Sequence, residues 1–172
     1  MSESDILIED GFKPLLGCEP RVLILGTMPS VQSLKTQQYY GHPRNAFWWI
    51  MSELCGFDFS LTYSERVEQV LKNKIAVWDV IASCHRPGSL DSNIDQSTVT
   101  VNCLPKVFEK YPSLKLVVFN GQAAEKLFAK FINEHDWQGD KLVLPSTSPA
   151  NAALSRERKL TQWAQIQDYL TD

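Results

Sequence analysis

The chain has 172 residues, 44% hydrophobic and 22% charged, with a formal net charge of −3. That length supports one domain with a substantial core, read here as a single domain over 1–172. No eighteen apolar residues run together, so no membrane span is expected, and a pI near 5.6 argues against a strong nonspecific nucleic-acid binder.

The opening "MSESDILIED" has no basic n-region and no apolar h-region, so no signal peptide is expected and the protein reads as cytoplasmic. "RVLILG" (21–26) is a short apolar run closed by glycine, the pattern of a buried strand. A polar and aromatic connection follows over 27–45. Asn45 then opens a helix: Phe47, Ile50, Met51 and Leu54 recur on one face, and Gly56 sits at the expected stop. "TYSE" (62–65) is a capping-box pattern ahead of Val67, Val70 and Leu71. "IAVWDVIAS" (75–83) reads as a second buried strand, followed by a loop over 84–98. Leu104, Val107, Phe108 and Tyr111 make a helical stripe, with Pro105 tolerated in its first turn. "LKLVVFNG" (114–121) is a third strand, and Ala124, Leu127, Phe128 and Phe131 mark the next helix. "KLVLP" (141–145) is a fourth strand, "STSPANAAL" (146–154) a polar loop, and Leu160, Trp163, Ile166 and Leu170 belong to a last helix.

Strands that alternate with helices predict an α/β fold, a sheet that is mainly parallel and covered on both faces. Ligands of such sheets bind beyond the carboxyl ends of the strands. The loops expected there are 27–45, 84–98, 120–122 and 146–154, which hold most of the unusual polar residues. Cys18, Cys55, Cys84 and Cys103 show no C-x-x-C spacing, so they read as reduced core residues, with no metal or cluster expected. Acids crowd the start (Glu3, Asp5, Glu9, Asp10) and the tail (Asp168, Asp172). Arg44, His85, Arg86, Arg156, Arg158 and Lys159 lie in or near the loops, either as one basic face or as separate solvated charges.

Three stretches carry a resemblance: "GTMPS" after the first strand, "HPRNAFW" (42–48) and "STSPAN" (146–151) after the last strand. Together they resemble the uracil-DNA glycosylase superfamily. Its first motif reads G-x-(Asp or Asn)-P, its mismatch-specific branch continues to H-P-x-N-x-F-W, and its second motif is a Ser-Pro loop. The resemblance implies a three-layer α/β/α sandwich around a mainly parallel four-stranded sheet. Met28 stands where most relatives carry a water-positioning Asp or Asn. Ser146 or Leu144 stands where they carry His or Asn in the second motif, and Ser146 is preferred. That combination is similar to the hypoxanthine-DNA glycosylase branch, in which the Asn of the H-P-R-N stretch is linked to catalysis. The role carries over onto Asn45.

Cleaving an N-glycosidic bond requires an extruded nucleotide, a water near C1′ and a stabilised leaving base. Asn45 is expected to orient the water, a role compatible with helix capping. The resemblance puts Tyr40 in the position of the aromatic that stacks on the base, with Tyr39 as the less favoured partner. Asp79 is expected to accept from the N–H of hypoxanthine, while a backbone N–H of the Thr27–Met28 loop donates to its carbonyl. Adenine presents the opposite polarity at that edge. Uracil offers the same N–H and C=O, so pocket size must separate those two. Ser146 and His42 are further base contacts, and His42 equally suits a structural turn. Ser148, Pro149, Ala150 and Asn151 are expected to press on the phosphates or enter the stack, and Gly121 to offer a helix start to a phosphate. Trp48 and Trp49 read as packing residues.

The expectation is a monofunctional glycosylase for hypoxanthine in base excision repair. It acts as a monomer on damaged or mismatched DNA, at the nucleoid, with no cofactor. Uracil or mismatch excision, or a noncatalytic module that binds a damaged base, are the alternatives. A nucleoside hydrolase or deaminase lacks its acidic cluster or its H-x-E and P-C-x-x-C signature.

Overall fold

The apolar runs pair as one parallel sheet. The computed structural model describes residues 9–171. The opening stretch read for a leader, with Glu3 and Asp5, and the terminal Asp172 lie outside the described residues. In chain order the elements are β1 (Glu9–Asp10), β2 (Val22–Gly26), α1 (Val31–Thr36), α2 (Phe47–Cys55), α3 (Tyr63–Lys72), β3 (Ile75–Asp79), β4 (Ile81–His85) and β5 (Asp95–Val101). They continue as α4 (Leu104–Lys110), β6 (Leu116–Asn120), α5 (Gln122–Phe131), β7 (Asp140–Leu144) and α6 (Arg156–Trp163), followed by a 3-10 turn over Ala164–Tyr169.

The four parallel strands lie in the order β3-β2-β6-β7. Alternation along each strand sends side chains to opposite faces. Leu23, Leu25, Ala76, Val117 and Phe119 meet Leu104 and Phe108 of α4 and Leu127 and Phe128 of α5. Val22, Ile24, Ile75, Val77 and Val118 meet Phe47, Ile50 and Met51 of α2, Val70 of α3 and Trp163 of α6. Helices therefore cover both faces of β3, β2 and β6, which gives the expected α/β/α sandwich, while the edge strand β7 leaves Asp140, Lys141 and Val143 exposed. From β2 the chain moves to β3 on one side and later to β6 on the other. The crevice at this change of direction opens above the carboxyl ends of β2 and β6. No helix among the described residues is long and apolar enough to cross a membrane.

Several local expectations are corrected. The run 75–83 is not one strand. It breaks at Val80, whose N–H donates to Gly26 O, and β4 then joins an antiparallel sheet in the order β1-β4-β5. Asn102 Nδ2 clamps the corner through the carbonyls of Asp79 (2.8 Å) and Ile81 (3.3 Å). An unbroken apolar run carries no mark of where it changes partners. The expected loop 84–98 contains most of β5, a strand whose exposed Asp-Gln-Ser-Thr start hides its period. The connection 27–45 contains α1, capped by Ser30 Oγ accepting from Ser33 N at 3.1 Å. The Thr62–Glu65 capping box is present as read. Of the cysteines only Cys84 is a buried core residue; Cys18 and Cys103 are exposed.

Candidate active site at the strand carboxyl ends

Gly26 ends β2, Asp79 ends β3, Asn120 ends β6, and the Ser-Pro loop follows β7, so four adjacent strands deliver their last residues to one place. There a cavity of about 100 Å³ is lined by Gly26, Thr27, Met28, Tyr40, Asn45, Asp79, Asn120, Ser146 and Ser148, among others. It opens into an outer cleft of about 670 Å³, lined by His42, Asn45, Leu90, Pro149, Ala150 and Asn151, among others.

Asn45 sits at the junction of the two spaces. Its N–H closes a turn onto His42 O at 2.9 Å, and its Oδ1 accepts from Phe47 N at 3.0 Å. The first residue outside α2 is Ala46, so Asn45 caps from one position further back than the sequence indicates. A carbonyl oxygen has two lone pairs, and the second is available to a water. His42 Nδ1 accepts from Arg44 N at 3.1 Å, which leaves Nε2 as the donor toward the outer cleft.

Tyr40 lies in the left-handed region, at φ 51°. One face of its ring stacks on Phe47 at 4.1 Å. Its hydroxyl is buried, faces the Asn120 carboxamide and makes no hydrogen bond of good geometry; Asp79 Oδ2 is also buried without a partner. Both groups crowd Gly26: a Cβ there would lie 2.7 Å from Asp79 Oδ1 and 3.0 Å from the Tyr40 hydroxyl. Only glycine fits. Burial first, then the neighbouring Asp91 carboxylate, pushes the Asp79 carboxyl up to about 7, against a smaller opposite pull from Arg86. Burial and the Asp79 charge likewise raise the Tyr40 phenol. Tyr39 is committed to the core instead: its hydroxyl donates to Lys13 O at 2.8 Å, and its carbonyl accepts from Trp48 Nε1 at 2.7 Å.

Thr27 Oγ1 donates to Asp91 Oδ1 at 2.6 Å. Met28 is buried, belongs to the apolar cluster that includes Leu25, Val80 and Ile81, and also lines the cavity. In the last loop Ser146 lines the cavity, whereas Leu144 is packed in the core. Ser146 Oγ accepts from Ser148 N, Ser148 Oγ from Ala150 N, and Asn151 Nδ2 returns to Ser146 O. Gly121 is not brought into either space. It is buried at φ 96°, and a Cβ there would meet Ser146 Cβ at 3.0 Å, so its place is in packing behind the loop. Two of the loop bases fit neither reading, a basic face or separate solvated charges. Arg86 is buried, donating to Pro29 O (2.6 Å) and Gly88 O (2.9 Å). Lys159 is buried too, its Nζ donating to Ser148 O at 3.3 Å. Arg156 covers Trp49 at 4.3 Å.

Three residues were missed by the sequence reading. Asn120 Nδ2 donates to Thr147 Oγ1 at 3.0 Å and its Oδ1 accepts from Thr147 N at 2.9 Å. Thr147 O in turn accepts from Ala46 N at 3.0 Å, tying the Asn45 segment to the last loop. Asp91 is the third. The available signal was a polar residue closing an apolar strand in "VVFNG".

A family model described as the Uracil DNA glycosylase superfamily matches residues 14–170. A protein of Methanosarcina barkeri named hypoxanthine DNA glycosylase is 33% identical over 158 residues, 91% of this chain and 96% of its own length. One of the same name from Methanosarcina acetivorans is 32% identical over 161 residues, covering 93% and 98%. A solution NMR structure from Methanosarcina acetivorans, described as a candidate uracil DNA glycosylase, superposes with a TM-score of 0.80. It is 32% identical and covers 95% of this chain and 99% of that one.

Asn120→Ala leaves the Thr147 amide and hydroxyl unpaired in the interior, and should cost about 1–3 kcal/mol in urea unfolding. Asp79 gives a pH-dependent signature. The fold holds its proton more tightly than the unfolded chain does, so its contribution is most favourable below about 4 and declines as pH rises toward about 7. Asp79→Asn abolishes that titration. Its stability relative to the parent should therefore improve between pH 4 and pH 8, by up to about 4 kcal/mol at 1.36 kcal/mol per pH unit. Parallel pH profiles for the two proteins would refute the raised value.

Proposed function

The chain belongs to the uracil DNA glycosylase superfamily, and on that premise we propose that it is a DNA glycosylase for deaminated bases, hypoxanthine above all. The observation that carries this reading is the closed end of the cavity. Two buried polar atoms, the Tyr40 hydroxyl and Asp79 Oδ2, make no hydrogen bond of good geometry there. Native interiors rarely leave such atoms unpaired, so the cavity is built for a guest with matching polar groups.

A flipped hypoxanthine supplies them. Its N–H donates to Asp79 Oδ2, and a backbone N–H of the Thr27–Met28 turn donates to its carbonyl. Asn120, whose carboxamide also faces the Tyr40 hydroxyl, holds that wall of the cavity. Tyr40, braced on Phe47, presents its remaining ring face to the base, a contact worth roughly 1–3 kcal/mol. The bond from C1′ to the base nitrogen breaks with its electron pair leaving on the base, and the sugar acquires oxocarbenium character. A water that donates a hydrogen bond to Asn45 Oδ1 then adds to C1′, and the proton it loses balances the one taken up by the departing base anion, giving an abasic site and free base. Neutral Asn45 suffices because the bond is nearly broken before the water bonds. The hydroxyls of Ser146 and Ser148 accept within the loop and keep their own protons to donate to phosphate oxygens. His42 Nε2 adds a donor at the mouth.

The proposed enzyme is monofunctional. No lysine lines the cavity or the outer cleft, and the nearby Lys159 ammonium is bound to the Ser148 carbonyl. Strand cleavage through a Schiff base therefore has no nucleophile in position.

Duplexes carrying deoxyinosine, deoxyuridine or a G·T mismatch, incubated with the protein and then treated with alkali, test the reading. Deoxyinosine strands should be cleaved fastest. Cleavage of none removes the enzymatic reading, and cleavage of deoxyuridine alone assigns the protein to a uracil-specific activity. Asn45→Ala should slow deoxyinosine excision by about 10²-fold or more. The lost cap costs about 1 kcal/mol of stability as well, so Asn45→Asp, which keeps an acceptor, is the control. Full activity in Asn45→Ala would sink the catalytic assignment.

A further inference from the structure

An extruded nucleotide leaves a gap in the base stack, and proteins that distort duplex DNA often fill such gaps with an apolar side chain. Among the described residues the exposed large apolar side chains are Phe59, Leu90 and Val143. Of these Leu90, at 53% exposure, lines the outer cleft; Phe59 and Val143 do not.

Leu90 does not sit on a loose tip. Ser89 Oγ accepts from Val31 N at 2.9 Å, and Asp91 Oδ1 accepts from Thr27 Oγ1 at 2.6 Å, so both sequence neighbours are tied to the cavity wall. Arg86 holds Gly88 O and Pro29 O just before them, and Asn93 N closes back onto Leu90 O at 3.0 Å. The loop thus presents a leucine to water in a fixed position beside the cavity mouth. The Ser-Pro loop, which lines the same cleft, offers Ser148, Pro149 and Ala150 there. With Ser146 and Asn151 they suit close approach to phosphate, and none of the five is a large exposed apolar side chain.

We propose that Leu90, rather than the Ser-Pro loop, is the wedge of this protein: its side chain enters the stack of duplex DNA in the gap left by the extruded nucleotide. The proposal rests on the glycosylase reading above. It divides the contacts between two loops, with stacking given to Leu90 and the backbone to Ser146 and Ser148.

Single-turnover excision of deoxyinosine from duplex and from single-stranded oligonucleotides tests it, with Leu90→Ala, Leu90→Gln and Leu90→Phe compared with the parent. A single strand has no stack to fill. The Ala and Gln variants should lose about tenfold more on duplex than on single strand, and Phe should keep most of the duplex rate. In parallel, 2-aminopurine placed beside deoxyinosine in the duplex should brighten on binding the parent and the Phe variant, and much less with Ala. Equal losses on both substrates, or brightening independent of residue 90, overturn the proposal. A parent that binds the duplex without excision removes the glycosylase reading instead, and the 2-aminopurine signal then decides insertion alone.

Discussion

Thr147 spends every hydrogen-bonding group it has inside the protein. Its amide and hydroxyl pair with the carboxamide of Asn120, and its carbonyl accepts from Ala46. Asn120 is the last residue of a central strand, so this exchange fixes the last loop to the most rigid part of the sheet. The Ala46 bond extends the same constraint to the start of α2, where Asn45 stands. Lys159 and Trp163 hold the loop from α6, through the carbonyls of Ser148 and Pro145. Two segments about a hundred positions apart in sequence are thereby fixed within hydrogen-bonding distance. The roles proposed above for the Asn45 amide and the Ser-Pro loop need that fixity, because positioning is most of what such a site contributes.

The cavity floor is built at a cost. Two buried polar atoms without a well-formed hydrogen bond each carry a desolvation penalty of about 1–3 kcal/mol. Tyr40 adds a left-handed backbone, and Asp79 and Asp91 add like charges at close quarters. The surroundings over-determine these features. Gly26 removes the Cβ that would push Tyr40 and Asp79 apart, Phe47 supports the Tyr40 ring, and Arg86 offsets part of the carboxylate charge. An apolar floor would be more stable and would have nothing to recognise. The strain sits where a polar guest would relieve it, which is the pattern expected of a functional site.

The parallel sheet was legible because β2 and β6 are dry on both faces and β3 nearly so, which makes them continuous in hydropathy, while the edge strand β7 keeps a short apolar run although Asp140, Lys141 and Val143 are exposed. Its helices were legible through period and caps. What stayed hidden has physical reasons. The break at Val80 is made by Asn102 and by backbone of the preceding strand, partners remote in sequence. β5 has a solvated face and an exposed start, so its alternation survives only at Val99 and Val101. Tyr40, Asn45, Asp79 and Ser146 were nominated from motif resemblance, and the fold brings them to one cavity. Asn120 was passed over because a polar residue that ends an apolar strand looks like a turn signal. The burial of Arg86 and Lys159 was not readable, since a basic residue in a loop is solvated unless carbonyls are gathered around it.

Met28 shows how a departure from a family pattern acquires physical sense from its surroundings. Its side chain is held among Leu25, Val80, Ile81 and Cys84, on the face of the sheet covered by α4 and α5. A carboxylate or amide in that place would lose its packing in this cluster, and any part of it turned away from the cavity would meet hydrocarbon, where an unpaired polar group is expensive. The position has therefore become part of the core, and the loop it belongs to contributes backbone and the Thr27 hydroxyl. The polar work has moved to the opposite wall, where Asn45 is fixed by the His42 turn below it and the Phe47 amide above. In the proposed mechanism, an amide on the wall leaves the floor to the base and to Asp79, which separates recognition of the leaving group from delivery of the water.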